Sequence, residues 1–222
     1  MILHNASQAG PSTVGISMAP RACENIIDRM GAGMTFKRNA EIYGDGEPAD
    51  YLYKVVSGAI RTYKVLADGR RQIGAFYLAG DIFGLEHEDH HVFSAEAIND
   101  SRVIVVKHST VVALAERDSG IARELYNVAR RELERTQEHL LALIKSAEER
   151  VAGFLLEMAK RAPGANQVQL PMSRQDIADY LGLTIETVSR TMTRLESIAA
   201  IALPSSRCVI LRNRAALGRL NS

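Results

Sequence analysis

No stretch of this sequence stays apolar long enough to cross a bilayer, and its N-terminus lacks the basic-then-apolar pattern of a secretory leader. The chain is therefore expected to remain in the cytoplasm, with no membrane partner. Cysteine is scarce: Cys23 and Cys208 stand far apart, form no metal-ligand spacing and suggest no disulfide framework. Cys23 is read as incidental. Neither sign of charge dominates, the formal net charge being +1 at pH 7. What is present, 46% hydrophobic and 24% charged residues over 222 positions, suits a globular protein of one large or two ordinary domains.

The near-zero net charge hides an asymmetry. From Arg150 onward ten Lys and Arg face five Asp and Glu, a net of +5, which leaves −4 on residues 1–149. Such a split suits a chain whose C-terminal part meets nucleic acid. Within that part, Ser173–Glu196 (SRQDIADYLGLTIETVSRTMTRLE) predicts two short helices joined by a tight turn. The first spans Arg174–Leu181, with Ile177, Ala178 and Leu181 inward. Gly182 permits a left-handed turn. Thr184 is a suitable N-cap for a second helix, Ile185–Glu196, that buries Val188, Met192 and Leu195. Small Ala178 lets the helices approach, and branched Val188 locks one across the other. The opposite face carries Glu186, Thr187, Ser189, Arg190, Thr193 and Arg194, groups that hydrogen-bond base edges and phosphates. The same spacing also fits an ordinary helical hairpin with a solvated face; the charge asymmetry favours a DNA-recognition helix.

Upstream, residues 1 to about 20 are polar and aperiodic and read as an arm, with a short helix over Ala22–Met30. From Phe36 to Lys107, runs such as YLYKVVSG, AIRTYKVL, RQIGAFYL, VFSAEAI and RVIVVK alternate with turn signals, as antiparallel strands of a sandwich or roll do. Gly58 and Gly69 fall where hairpins need positive φ. The loop Gly84–Ser94 holds His87, His90 and His91 among Glu86, Glu88 and Asp89. These are weak candidates for a metal site, since no later strand returns a further ligand; the alternative is a solvated loop.

From Ser119 to Ala147 the period becomes helical. Ala122, Tyr126, Ala129, Leu133, Thr136, Leu140 and Leu143 recur at alternating four and three, a coiled-coil seam for a two-fold partner. Ile121, Leu125, Val128 and Ile144 form a second stripe for docking on the strands; a helix packed twice within one monomer fits the same pattern. Glu148–Arg161 continues as an amphipathic helix ended by Pro163–Gly164. VQLPM reads as a strand, and IAAIALPSSRCVILR as a hairpin turning near Pro204–Ser206, a wing beside the recognition helix. Cys208 in that wing, beside Arg207, is either a packed strand cysteine or a redox-responsive thiol.

This order of parts resembles the Crp–Fnr superfamily of bacterial transcription regulators, and LPMSRQDIADYLGLTIETVSR, ADGRRQ and SAEAI are similar to its FixK branch, regulators of microaerobic and nitrogen-fixation genes. The implied fold is α+β: a flexible arm at 1–30, an antiparallel β-roll of the cyclic-nucleotide-binding type at 31–118, a dimerisation helix at 119–147 and a winged helix-turn-helix at 148–222. The resemblance implies that Glu186, Ser189 and Arg190 read bases of TTGA-like half-sites. It also implies that Arg174, Gln175, Thr184, Thr187 and, more weakly, Arg207 position the duplex through phosphates. A homodimer would then bind an inverted repeat in double-stranded DNA and contact RNA polymerase. Where cyclic-nucleotide-binding relatives carry an Arg-Ser pair for the phosphate, this chain has Phe93–Ser94; two cysteines cannot ligate a four-cysteine iron–sulfur cluster. The expectation is a non-enzymatic regulator, chiefly an activator, that works without a cofactor and is controlled by its own abundance. Its rivals are a heme-, metal- or ligand-gated sensor of the same architecture and a cupin-like metalloenzyme.

Overall fold

The computed structural model describes residues 27–86, 89–161 and 166–221. The expected arm, Cys23, His87 and the Pro163–Gly164 stop lie outside the described residues, and of the expected Ala22–Met30 helix only residues 27–30 are described, as helix. Two four-stranded antiparallel sheets face each other. One runs β1 (Ala32–Phe36), β8 (Ser101–Lys107), β3 (Tyr51–Ser57), β6 (Ile82–Phe83); the other runs β2 (Glu41–Tyr43), β7 (Ser94–Ala97), β4 (Ala59–Val65), β5 (Arg71–Leu78). Tyr43, Tyr53, Val55, Ile60, Tyr77 and Phe83 fill the space between them. Gly58 takes φ +87°, and a Cβ there would come within 2.2 Å of the Ser101 hydroxyl, so that turn requires glycine.

After β8 comes α1 (His108–Ala115), then α2 (Ser119–Leu143), whose first N–H groups are capped by the Asp118 carboxylate. Ile121 and Val128 are buried, Val128 within a cluster that includes Leu52 and Val106 of the roll. Ile144, expected in the same docking stripe, is instead 82% exposed. The helix expected to reach Ala147 stops at Leu143, and after a break of three residues a new one, α3 (Ala147–Arg161), starts. Glu149 Oε2 accepts the Ser146 N–H at 2.8 Å and Ser146 Oγ accepts the Glu149 N–H at 3.4 Å, a reciprocal cap. Arg150 spans the break, donating to the carbonyls of Leu143 (2.5 Å), Lys145 (2.8 Å) and, on the first helix-turn-helix helix, Leu181 (2.8 Å).

The remainder is β9 (Gln167–Gln169), α4 (Arg174–Leu181), α5 (Ile185–Ser197), β10 (Ile201–Ser205), β11 (Cys208–Leu211) and α6 (Arg214–Leu220), with an antiparallel sheet ordered β10-β11-β9. Both helix-turn-helix segments lie where the sequence placed them. Among the described residues no helix is long and apolar enough to cross a membrane.

The two halves of the chain share a core. Ala59, Ile73, Phe76 and Ile98 of the roll join Phe154, Tyr180, Val188 and Leu195 in one apolar cluster, with Phe76 and Tyr180 ring centroids 5.1 Å apart. Charge seals the same junction. Asp176, its side chain 4% exposed, accepts from Arg61 (2.9 Å) and Arg71 (2.7 Å) through Oδ1. Its Oδ2 accepts from the Ser173 backbone N–H at 2.9 Å and hydroxyl at 2.8 Å. Burial pushes the Asp176 carboxyl up, but the Ser173 hydrogen bonds and the charges of Arg61 and Arg71 outweigh it and hold it below the ordinary 3.8. A depressed value in the folded state means a contribution to stability that is present above pH 3.8 and lost as pH falls beneath it. Asp176→Asn, which leaves Arg61 only Glu96 and Arg71 only Asp179 as carboxylate partners, is expected to cost about 1–3 kcal/mol at pH 7. Urea unfolding checks this: the difference from the unsubstituted protein should narrow in acid, and equal midpoints at pH 7 would count against it.

Candidate nucleic-acid interface

The turn of the helix-turn-helix is built locally. Ser173 caps α4 in a reciprocal box with Asp176, and Gly182 ends it at φ +62° and ψ +40°, the left-handed conformation only glycine adopts without strain. Thr184 then caps α5, its hydroxyl accepting the Thr187 N–H at 3.2 Å. Val188, Met192 and Leu195 are buried, as their spacing required. Fixing that face turns Glu186, Ser189, Arg190, Thr193 and Arg194 outward, all exposed along one side of the helix.

Glu186 sits in the first turn of α5. Its own backbone N–H, the Thr184 hydroxyl and the Arg190 charge hold its carboxyl below the ordinary 4.5, so it is an ionised acceptor at neutral pH. Arg190 has one weak tie, Nη2 to the Thr187 hydroxyl at 3.5 Å, which leaves the planar fork free for two parallel hydrogen bonds. Arg194 leans back to Glu148 of α3 at 3.4 Å.

The five residues expected to position a duplex differ in their readiness. Thr184 is exposed and Thr187 half-buried at the N-terminus of α5. Gln175 is exposed and donates to Asp179 at 2.6 Å. Arg174 is half-buried, burial lowers its pKa from the usual arginine value, and its Nη1 is enclosed without a partner, so it must swing outward to meet a phosphate. Arg207, at the wing tip, donates to the Pro171 carbonyl at 2.6 Å, bracing the wing against the loop ahead of α4. Cys208 next to it is buried, with Sγ 3.3 Å from Gln167 Nε2.

The seam of α2 faces outward. Tyr126, Leu133 and Leu140 are 67%, 57% and 65% exposed, and Ala122, Ala129 and Thr136 lie exposed between them; Leu143, half-buried, turns into a cavity of the roll. That cavity, about 690 Å³, lies between the roll and α2 and is walled by Tyr43, Tyr77, Phe83 and Phe93. Its ionisable described lining is Tyr43, Tyr77, Glu86, Glu132 and His139, with no Lys or Arg.

Of the three loop histidines, His90 is exposed and its backbone bridges to Pro48. His91 is buried, stacked on Tyr43 with centroids 3.5 Å apart and Nδ1 2.8 Å from Glu86 Oε1. Among the described residues no three His, Cys, Asp or Glu side chains gather as a metal site. The residues that the sequence reading passed over are those joining the two halves: Arg61, Arg71, Glu96, Asp176, Asp179, and a second hub where Asp81 receives Arg135 of α2 and Arg161 of α3, each at 2.6 Å. Ser173-x-x-Asp176 was the one local signal, a capping-box pattern.

Residues 149–220 match the Crp-like helix-turn-helix domain and residues 34–118 the cyclic nucleotide-binding domain. The chain is 51% identical over 203 residues to the nitrogen fixation regulation protein FixK of Azorhizobium caulinodans, covering 89% of this chain and 82% of that protein. It is 39% identical over 222 residues to FixK of Rhizobium meliloti, covering 98% of this chain and 99% of the relative. The structure of FixK2 from Bradyrhizobium japonicum superposes with a TM-score of 0.83 at 47% identity, over 87% of this chain and 98% of that one. With both domain models matched in order and this identity along nearly its whole length, the chain belongs to the FixK branch of the Crp–Fnr family of transcription regulators.

Proposed function

We propose that this regulator is a homodimer that activates transcription from inverted-repeat operators with TTGA-like half-sites, reading bases through Glu186, Ser189 and Arg190 and needing no cyclic nucleotide, iron–sulfur cluster, heme or metal. The observation that carries the reading is the polar face of α5, whose three base-reading groups are exposed while the opposite face is locked in the core. Arg190 suits a guanine edge and ionised Glu186 a cytosine amino group; Ser189 suits an adjacent base. Gln175, Thr184 and Thr187 would hold the register through phosphates, joined by Arg174 once it swings out, while Arg207 acts mainly by bracing the wing.

The bare apolar stripe from Ala122 to Leu140 supports pairing with a second copy, which would set two recognition helices one DNA turn apart. Cofactor independence is supported by the roll cavity. Phe93 stands in it, and the described lining offers an anionic ligand two carboxylates and no arginine or lysine. Target genes of the microaerobic and nitrogen-fixation kind, and a contact with RNA polymerase, follow from the kinship with FixK proteins.

Footprinting with ligand-free protein on genomic fragments tests the reading: a protected inverted repeat is expected, and protection that needs an added effector would overturn it. Arg190→Ala should cost about 1–3 kcal/mol of operator affinity and relax selectivity at one base pair per half-site, with random-sequence binding little changed. Leu133→Glu should shift sedimentation toward the monomer and abolish operator binding at concentrations where the unsubstituted protein is saturated. Buried Cys208 should resist thiol reagents until the chain unfolds, and Cys208→Ser should leave both operator binding and its response to peroxide unchanged.

A further inference from the structure

We infer that two arginines of the β-roll, Arg61 and Arg71, are positioning residues for DNA binding: by pairing with Asp176 and Asp179 of α4 they hold the helix-turn-helix permanently in its reading attitude. The inference rests on the cofactor-free DNA-binding function proposed above and supplies the device that makes an effector unnecessary.

Arg61 lies on β4, its side chain 11% exposed, where the strand register sets it opposite Glu96. It forks, giving Nη2 to Glu96 at 2.9 Å and Nη1 to Asp176 at 2.9 Å. Arg71, at the start of β5, gives Nη2 to Asp176 at 2.7 Å and Nε to Asp179 at 2.8 Å. The two aspartates are three residues apart on one helix, so they stand on the same face nearly a turn from each other. A single ion pair would let α4 pivot about its point of contact. Two along the axis fix its azimuth as well as its position. Since Ala178 and Leu181 of α4 pack in the same cluster as Val188 and Leu195, orienting α4 orients α5.

Charge gives the pairing a second effect. Asp176 and Asp179 share their helix with Gln175 and Arg174, two of the phosphate-positioning candidates. Unpaired, they would set two negative charges beside a polyanion. Matched by guanidinium groups, they do not repel it. The docked roll also leaves the reading face uncovered. A cleft of about 710 Å³ lies between Arg70 and Gln72 of the β4–β5 hairpin and Gln175, Thr184, Glu186 and Thr187; Glu186 stays exposed on its wall, and Ser189 and Arg190 are exposed outside it.

Arg71 and Asp179 are the pair to exchange, because Asp179, unlike Asp176, takes no part in the α4 cap. Arg71→Asp, Asp179→Arg, the double exchange, and the milder Arg71→Gln are compared with the unsubstituted full chain on an operator and on random duplex, alongside sedimentation and thermal unfolding. The single reversals are expected to lose about tenfold or more in operator affinity as intact dimers, with the double exchange regaining part of the loss, since it restores the pair between positions 71 and 179 but not the one between Arg71 and Asp176. Arg71→Gln should lose less, and it carries the comparison if a reversal fails to fold. Unchanged affinity in the singles, tighter binding in them, or no recovery in the double would each overturn the inference. If the unsubstituted protein itself prefers no operator, it is the proposed function that fails; if it binds and the variants match it, only the role of Arg61 and Arg71 does.

Discussion

A carboxylate withdrawn from water has to be answered by charge, and Asp176 is answered from two directions at once. One oxygen closes the cap on α4 with Ser173; the other receives Arg61 and Arg71 from strands more than a hundred residues earlier. Folding of the helix-turn-helix and its attachment to the roll therefore draw on the same side chain. A buried ion pair is a weak source of net stability but a strong source of specificity, because every arrangement that separates the partners strands a charge. Here the second guanidinium nitrogen of Arg61 is taken up by Glu96, so the cluster stays close to balanced.

The other junctions follow the same logic. Asp81 binds the Leu78 N–H, Arg135 from α2 and Arg161 from α3, and Arg161 also reaches the Phe76 carbonyl at 2.7 Å. Tyr77 donates to Glu132 of α2 at 2.7 Å, tying the second sheet to the seam helix. Roll, seam and reading helix are thus connected through polar contacts that are directional, laid over an apolar core that is not. The exposed stripe on α2 and the exposed face on α5 are joined by these contacts, so in the proposed dimer the geometry of pairing would carry through to the geometry presented to a duplex.

Much of this was legible in the sequence where signals are local. The boundaries of α4 and α5, the left-handed Gly182, the Thr184 cap, the buried Val188, Met192 and Leu195, and the wing strands all follow from spacing and capping chemistry within a few residues. The elements missed were short or were masked by a stronger pattern. β2 and β6 are three and two residues long, too brief to show alternation. The end of α2 was hidden because the seam periodicity runs up to the break, while its real signal was the Ser146–Glu149 cap. The docking arginines had no local mark at all: a charge within a strand reads as solvent-facing, and Arg61 meets its partner 115 positions away. His91 misled similarly: its loop suggested either solvent or, weakly, a metal, whereas stacking on Tyr43 places it in the core of the roll.

The break between α2 and α3 works as an elbow of three residues, 144–146. Its three side chains differ: Ile144 stands in solvent, Lys145 donates to Asn221 at the C-terminal end of the chain's last helix, and Ser146 caps α3. Its length is another matter. Adding or removing one residue would change the distance and direction in which α3 leaves α2. The grip of Arg150 on Leu143 and Leu181 and that of Asp176 on the roll would then fall out of phase together. The length of the segment is therefore a constraint beside the chemistry of Lys145 and Ser146, and the angle between α2 and α5 is set partly by the number of residues between them.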